Sequence, residues 1–592
     1  MKALRLGLVI LVGISFLYSC QGNNEEDTSA PVKESYSGVW KFHAGEGTDS
    51  LWMNANYNDS LWQEITSSKS LKEQDVSLEN GFGWYRKTIR FCDSLQAAIK
   101  KSGAAMLHLG KFAACDEVYV NGNLVGKTGE FPHNYKGYFD NERNYIVYDK
   151  DLNLEGTNTI AIKFHDGWSA AGGFIEGAGL SVSSATTNDK FALKVIVYDP
   201  DYIFMGTNPI KIGIDLQNNN KWNVDGRLYV TLTTDDYQPI SSDSLDIEVG
   251  KNSNFIKDYT FKNPAPGFYR YTVQFRRKGE TVCEKKFNVG YEPEKIQSPV
   301  DAKTDFKEFW DNNLKELAKV APNYKLTPIP EASQVDYDMY LVEMRSFGNE
   351  LIRGYYAKPK REGKHPVIVE YMGYGSSPYY PNQWWDGFAY FVLSIRGQAL
   401  NQPANKYGTW ITYGLNDKSD YYYRGAFLDV IRALDFVSSR AEIDADRIVV
   451  RGGSQGGALS FVAAALDKRV KAAAPNIPFL SDYPDYFKIA LWPKSDFDNY
   501  MQGHPTAQWD DIYNLLTYFD IKNLAQWIEC PVVMGIGVQD DVCPPHINFA
   551  AYNQIKAEKS WMAFPEYEHS VGKEFNDTAM ALFRKKLKVE KP

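Results

Sequence analysis

Residues 447–466 constrain this chain more than any other stretch. An apolar, β-branched run, Arg447-Ile448-Val449-Val450, leads into Arg451-Gly452-Gly453-Ser454-Gln455-Gly456-Gly457. The small apolar residues Ala458-Leu459-Ser460-Phe461-Val462-Ala463-Ala464-Ala465 follow. The order is strand, sharp turn, helix, the setting in which G-x-S-x-G forms a nucleophile elbow. Such a turn strains the serine backbone and brings neighbouring segments close, and Gly452 and Gly456 leave room for that approach. The amide N–H of Gln455, first in the helix, is then a donor for an oxyanion. G-x-S-x-G alone also arises as a glycine-rich turn without chemistry; the strand before it and the helix after it give the motif its weight.

A serine hydroxyl is a weak nucleophile that needs a base, and the base needs an orienting acid. The chain has eight histidines. Four of them (His43, His108, His133, His165) fall in an N-terminal half that reads as β domains. His365 precedes Pro366 at the entry of the strand Val367-Ile368-Val369-Glu370-Tyr371, the wrong end of a parallel sheet. His504 lies in a polar surface segment. His546, at a helix start behind Pro544-Pro545, is expected to face solvent. His569 follows the strand-like Ser560-Trp561-Met562-Ala563-Phe564-Pro565, and it fits the chain order serine, acid, histidine of an α/β-hydrolase. The acid should end the preceding strand, and Pro531-Val532-Val533-Met534-Gly535-Ile536-Gly537-Val538 has a buried-strand pattern. Asp540 stands nearer its end than Asp541, which also reads as a helix-start charge favoured by the dipole.

From residue 301 to residue 592 the chain resembles carbohydrate esterase family seven, the acetyl xylan esterase and cephalosporin C deacetylase group. The resemblance rests on Arg396-Gly397-Gln398, on Gly452-Gly453-Ser454-Gln455-Gly456, on Asp420-Tyr421-Tyr422-Tyr423-Arg424-Gly425 and on Cys543-Pro544-Pro545. It implies a catalytic triad of Ser454, Asp540 and His569, with the backbone N–H groups of Tyr374 and Gln455 as the oxyanion hole. It casts Arg396, with Gly397 and Gln398, as scaffold near the site, and it requires no metal and no cofactor. Two positions depart from the family. Its H-E is His569-Ser570 here, which bears on loop support and subunit packing. Its H-G-Y is Met372-Gly373-Tyr374, which leaves a backbone donor in place. A homo-oligomer is a further expectation from the family.

The start of the chain reads as an export signal. Lys2 and Arg5 precede an apolar core over residues 6–17, the length of a signal-peptide h-region and too short to span a membrane. It ends in Leu17-Tyr18-Ser19-Cys20, which resembles a bacterial lipobox and makes Cys20 the expected lipidation site. Residues 1–19 are then a lipoprotein signal peptide and 20–34 an acidic tether, Gln21-Gly22-Asn23-Asn24-Glu25-Glu26-Asp27 being polar and charged. The expected location is the bacterial cell envelope, lipid-anchored to the outer membrane on its periplasmic or surface side.

Two β-rich regions separate tether and hydrolase. Residues 35–184 hold Glu117-Val118-Tyr119-Val120-Asn121-Gly122-Asn123-Leu124, a hairpin signal because Asn-Gly supplies positive φ at both turn positions. This region resembles the galactose-binding-like jelly roll that opens glycoside hydrolase family two enzymes. That fold binds sugar in some proteins and only packs in others. Trp168, near Gly172-Gly173, reads equally as a loop aromatic or a buried one. Residues 190–291 alternate with period two, as in Leu228-Tyr229-Val230-Thr231-Leu232-Thr233, and fit an immunoglobulin-like sandwich acting as a spacer. The expected fold is thus multidomain: two N-terminal β-sandwiches followed by a C-terminal α/β-hydrolase domain at 301–592.

Composition narrows the partners. The net charge of −9 with no basic block argues against nucleic acid. The 39 tyrosines and 14 tryptophans suit β-sandwiches and sugar-facing surfaces, and Trp384, Trp385 and Trp410 are candidates for facing a sugar or for the core. Apart from Cys20, the five cysteines are scattered and form neither a disulfide framework nor a metal-ligand spacing. The reading is a serine esterase acting on acetylated oligo- or polysaccharides, xylan or xylo-oligosaccharides first. One alternative is a prolyl-oligopeptidase-like serine peptidase, which usually carries a β-propeller and commonly has tyrosine where Gln455 stands. Another is a non-catalytic surface glycan-binding lipoprotein, at odds with a serine, an acid and a histidine kept in order.

Overall fold

The computed structural model describes residues 30–590, apart from 48, 133–136, 138–141, 167–172, 176–178 and 382–383. Cys20 and Trp168 lie outside the described residues. The described chain falls into two compact units, one of residues up to 192 with 216–226 and 247–255, the other of 193–215, 227–246 and 256–592.

The first unit holds two antiparallel sheets. In the six-stranded sheet, Gln63–Thr66, Val39–Ala44, Phe82–Ile89, Asn158–His165, Cys115–Val120 and Asn123–Thr128 lie side by side. In the five-stranded one, Lys33–Ser35, Ser181–Ser184, Ala104–Ala113 and Gly173–Phe174 follow in order, with Glu142–Tyr148 also on Ala104–Ala113. Inward rings of Trp40, Tyr85, Phe112, Phe164 and Phe174 meet edge-on or tilted between the sheets, the preferred geometry for aromatic quadrupoles. The Asn-Gly turn is present, with φ of 51° at Asn121 and 88° at Gly122.

The two units divide the strands of the second sandwich, 216–226 and 247–255 falling in the first unit and most of the rest in the second. One sheet orders Ile203–Phe204, Glu280–Tyr291, Gly267–Arg277, Val224–Thr234 and Pro239–Val249. Leu228, Val230 and Leu232 are buried, while Arg227, Tyr229 and Thr231 alternate outward, as the period of two requires. In the second unit this sandwich is more than a spacer. Ile203 and Phe268 share one buried cluster with hydrolase residues, and the rings of Phe268 and Phe549 lie 6.1 Å apart.

The rest of the second unit is built on a nine-stranded sheet. Its strands are β1 (Lys325–Pro328), β2 (Tyr337–Arg345), β3 (Leu351–Pro359), β4 (His365–Tyr371), β5 (Ala389–Ser394), β6 (Ile443–Gly453), β7 (Val470–Asn476), β8 (Val532–Gly537) and β9 (Lys559–Phe564). The spatial order is β1-β2-β3-β5-β4-β6-β7-β8-β9. The pairs from β1 to β5 are antiparallel, and those from β5 onward through β4 to β9 are parallel. The parallel strands read as continuous apolar runs because helices cover both faces, and every residue of β5 and β8 is buried. Helices α1 (Tyr422–Ser438), α2 (Gln455–Leu466), α3 (Tyr483–Ile489), α4 (Pro545–Tyr552) and α5 (Lys573–Leu587) complete the parts that matter here. Pro545 opens α4, where its missing N–H costs nothing. The five described cysteines are all free.

Candidate active site

Ser454 stands between β6 and α2 with φ 58° and ψ −120°. For a non-glycine residue this region costs about 1–3 kcal/mol and persists only where neighbours enforce it. Here they do. The Ser454 N–H donates to the Asn476 carbonyl at 3.0 Å, and the Ser454 carbonyl accepts from Ala458 and Phe479, each at 3.1 Å. The close approach is equally plain: a Cβ on Gly456 would stand 2.0 Å from the Tyr371 carbonyl oxygen, and one on Gly452 2.6 Å from Gly456.

The loop after β8 carries Asp540, fully buried. Its Oδ1 accepts from the backbone N–H groups of Val542 at 2.9 Å and Cys543 at 2.8 Å. Its Oδ2 lies 2.8 Å from His569 Nδ1. A carboxylate held by two amides is fixed in orientation, and its free oxygen sets the imidazole tautomer. Asp541, by contrast, is exposed. Ser454 reaches the same loop, with Oγ 4.0 Å from Cys543 Sγ. Ser454 Oγ makes no hydrogen bond to His569 among the described residues; such bonds often tighten only when substrate is present. Cys543 is the other nucleophile beside the serine, and burial pushes its thiol well above the usual range, so it stays neutral and unreactive.

Facing the elbow is the loop after β4. The N–H groups of Tyr374 and Gln455 donate to no protein acceptor among the described residues. Gln398 fixes the spacing of these two segments. Its Oε1 accepts from the Gly375 N–H at 3.1 Å. Its carboxamide also exchanges two 3.1 Å hydrogen bonds with that of Gln455. Tyr423 donates to Gln455 Oε1 at 3.0 Å. Gly397 takes φ 70°. Arg396 is buried in a two-point pair with Asp429 of α1, Nε to Oδ2 at 2.9 Å and Nη2 to Oδ1 at 2.7 Å. Losing one partner of such a pair would strand a buried charge at a cost of about 3–5 kcal/mol. Arg396 thus anchors the loop that carries Gln398. Met372 meets these segments through its carbonyl, which accepts from Gln455 Nε2 at 3.4 Å, and through its Sδ, which accepts from Ser394 Oγ at 3.5 Å.

The Tyr374 ring is walled by Trp410 at 5.0 Å, Trp492 at 5.3 Å and Phe479 at 6.2 Å, with Trp492 stacked on Phe479 at 5.1 Å. Burial pushes the Tyr374 phenol up to about 12. Of the three tryptophans singled out in the sequence, only Trp410 stands here. Trp385 packs on His365 at the opposite end of β4, and Trp384 is exposed. Phe479 and Trp492 lie in connections without periodicity, so only the fold brings them to the serine.

His546 does not face solvent. Its Nδ1 lies 2.7 Å from Asp235 of the second sandwich, and Asp485 is 3.8 Å from Nε2. Burial disfavours charge on this imidazole, but the carboxylates of Asp235, Asp485 and Asp482 together outweigh it and raise the pKa of His546. His504 is exposed, and His365 Nε2 is engaged by the Arg361 carbonyl at 2.9 Å.

A serine on a strained strand–helix turn, at the C-terminal edge of a mostly parallel sheet and against the loop whose buried carboxylate pairs with a half-buried imidazole, defines a serine hydrolase of the α/β-hydrolase class. Residues 291–587 match the model of the acetyl xylan esterase (AXE1) family, and the chain belongs to that family. It is a carboxylic ester hydrolase. Acetyl esterase Axe7A of Xylanibacter ruminicola is 31% identical over 363 residues, 57% of this chain and 78% of that protein. Two solved structures are also similar. Acetyl xylan esterase 1 from Thermoanaerobacterium sp. JW/SL YS485 is 31% identical, with 49% of this chain and 96% of that chain covered and a TM-score of 0.46. Acetyl xylan esterase from Paenibacillus sp. R4 is 34% identical, with 49% and 97% covered and a TM-score of 0.46.

Proposed function

We propose that this chain removes O-acetyl groups from acetylated xylan or xylo-oligosaccharides through an acetyl-enzyme on Ser454. The observation that carries the reading is the Asp540–His569 contact on the loop whose Cys543 touches Ser454 Oγ. Ser454 Oγ attacks the acetyl carbonyl carbon while His569 Nε2 takes its proton. Asp540 holds the Nδ1–H tautomer and steadies the imidazolium. The N–H groups of Tyr374 and Gln455 receive the oxyanion. Collapse expels the sugar oxygen, which takes the proton from His569. Water then attacks the acetyl-enzyme with His569 again as base, and acetate leaves. These steps need neither metal nor cofactor.

The ring wall predicts acyl selectivity. Tyr374, Trp410, Phe479 and Trp492 brace one another, so a longer acyl chain cannot be accommodated by a cheap rotation. Overpacking of this kind costs about 1–3 kcal/mol, or roughly ten- to hundredfold in kcat/KM. Acetyl, butyryl and feruloyl esters of one sugar should therefore be hydrolysed in falling order, and a proline-containing peptide not at all. Fastest turnover of the feruloyl ester, or of the peptide alone, would refute the assignment.

The same proposal places the protein in the bacterial envelope with lipid on Cys20, supported by Leu17-Tyr18-Ser19-Cys20 behind a short apolar run. Cys20→Ser should move the protein from the membrane fraction to the soluble one. A wild type that is unlipidated, soluble and cleaved elsewhere contradicts this.

A further inference from the structure

The loop that holds Asp540 and Cys543 is gripped at both ends by the second sandwich, all within one compact unit. At its start stands Gln539. Its Oε1 accepts from the backbone N–H of Asn288 at 2.6 Å, and its Nε2 donates to the Asn288 carbonyl at 3.1 Å. A carboxamide side chain thus pairs with sandwich backbone as a neighbouring strand would. The same Nε2 donates to the Pro565 carbonyl at 2.6 Å, in the segment that leads to His569. The Gln539 backbone N–H donates to the Tyr567 carbonyl at 2.9 Å. Both donors of the carboxamide are used. Asn288 Nδ2 adds a contact to the Val538 carbonyl at 3.3 Å. At the far end of the loop, His546 meets Asp235 at 2.7 Å.

One side chain therefore ties three segments: the strand Glu280–Tyr291, the loop carrying Asp540 and the loop carrying His569. Neither of these loops belongs to a helix or strand at the reacting residues, so the 2.8 Å contact between Asp540 and His569 is only as well fixed as the loops themselves. Misplacement by about 1 Å is enough to cost roughly a hundredfold in rate. We infer that Gln539 is a positioning residue for the esterase and that the second sandwich, through Asn288, is part of the active-site support. The inference rests on the triad reading above.

The test uses the full-length protein. Gln539→Met keeps the size of the side chain and removes all its hydrogen bonds. Its kcat on an acetylated xylo-oligosaccharide should fall about ten- to hundredfold, with KM within about twofold and Tm close to wild type. Asn288→Pro acts from the sandwich side alone. The Asn288 N–H that it deletes faces Gln539 rather than the neighbouring strand, and kcat should fall in the same direction. An unchanged kcat in Gln539→Met, or a loss accounted for wholly by a lower Tm, would overturn the inference. Ser454→Ala, run alongside, separates the two readings: if it stays active, the triad assignment fails instead.

Discussion

Ser454→Ala should keep the fold and lose at least about 10⁴-fold in kcat for acetate release. The substitution removes one oxygen, whose one hydrogen-bond contact among the described residues is the long one to Cys543 Sγ at 4.0 Å, so no tightly bound partner is stranded there. The backbone bonds that hold the turn, from Ser454 to Asn476 and from Ala458 and Phe479 to Ser454, remain available. What is lost is the covalent route. The residual rate reports what the oxyanion donors and substrate binding achieve with water alone. His569→Ala should lose as much, because serine and base act as a unit and their effects do not add. Thermal unfolding of each variant, measured beside its kinetics, checks that the protein is folded.

Asp540→Asn should be almost as damaging, near 10⁴-fold in kcat, while Asp541→Asn stays within about twofold of wild type, the usual range for an exposed substitution. The reason is tautomeric. Two backbone N–H groups, from Val542 and Cys543, already demand an acceptor at the Oδ1 position. An asparagine satisfies them only by presenting its NH₂ to His569 Nδ1. That nitrogen must then accept, the ring proton moves to Nε2, and Nε2 can no longer take the serine proton. The prediction separates the two adjacent carboxylates cleanly. A crippled Asp541→Asn beside an active Asp540→Asn would place the acid on the wrong residue.

The parts of this site that the sequence makes legible are the local ones. Glycine spacing around Ser454, the apolar run before it and the small residues after it describe one continuous segment, so its strand–turn–helix form is written in order. The strands β8 and β9 are equally local, and the serine–acid–histidine order then narrows the candidates. What is not legible depends on distant segments. Pro544-Pro545 announces a helix at His546, but Asp235, which covers that imidazole, lies 311 residues away. The partner of Gln539 is 251 residues distant and is a backbone amide, which leaves no residue signature at all. Trp492 and Phe479 become a wall beside Tyr374 only through the packing of aperiodic connections. The period of two in the second sandwich announces strands, yet it does not announce that Phe268 is buried against α4 rather than in a self-contained core.

The central claim is that ester cleavage passes through Ser454 activated by His569, and covalent labelling with a serine-directed organophosphonate tests it most directly. Peptide mass mapping of the labelled wild type should find the adduct on Ser454, with acetate release lost in proportion to occupancy. His569→Ala should take up almost none. An adduct on Cys543 with Ser454 free, or full acetate release from protein whose Ser454 is completely modified, would contradict the account.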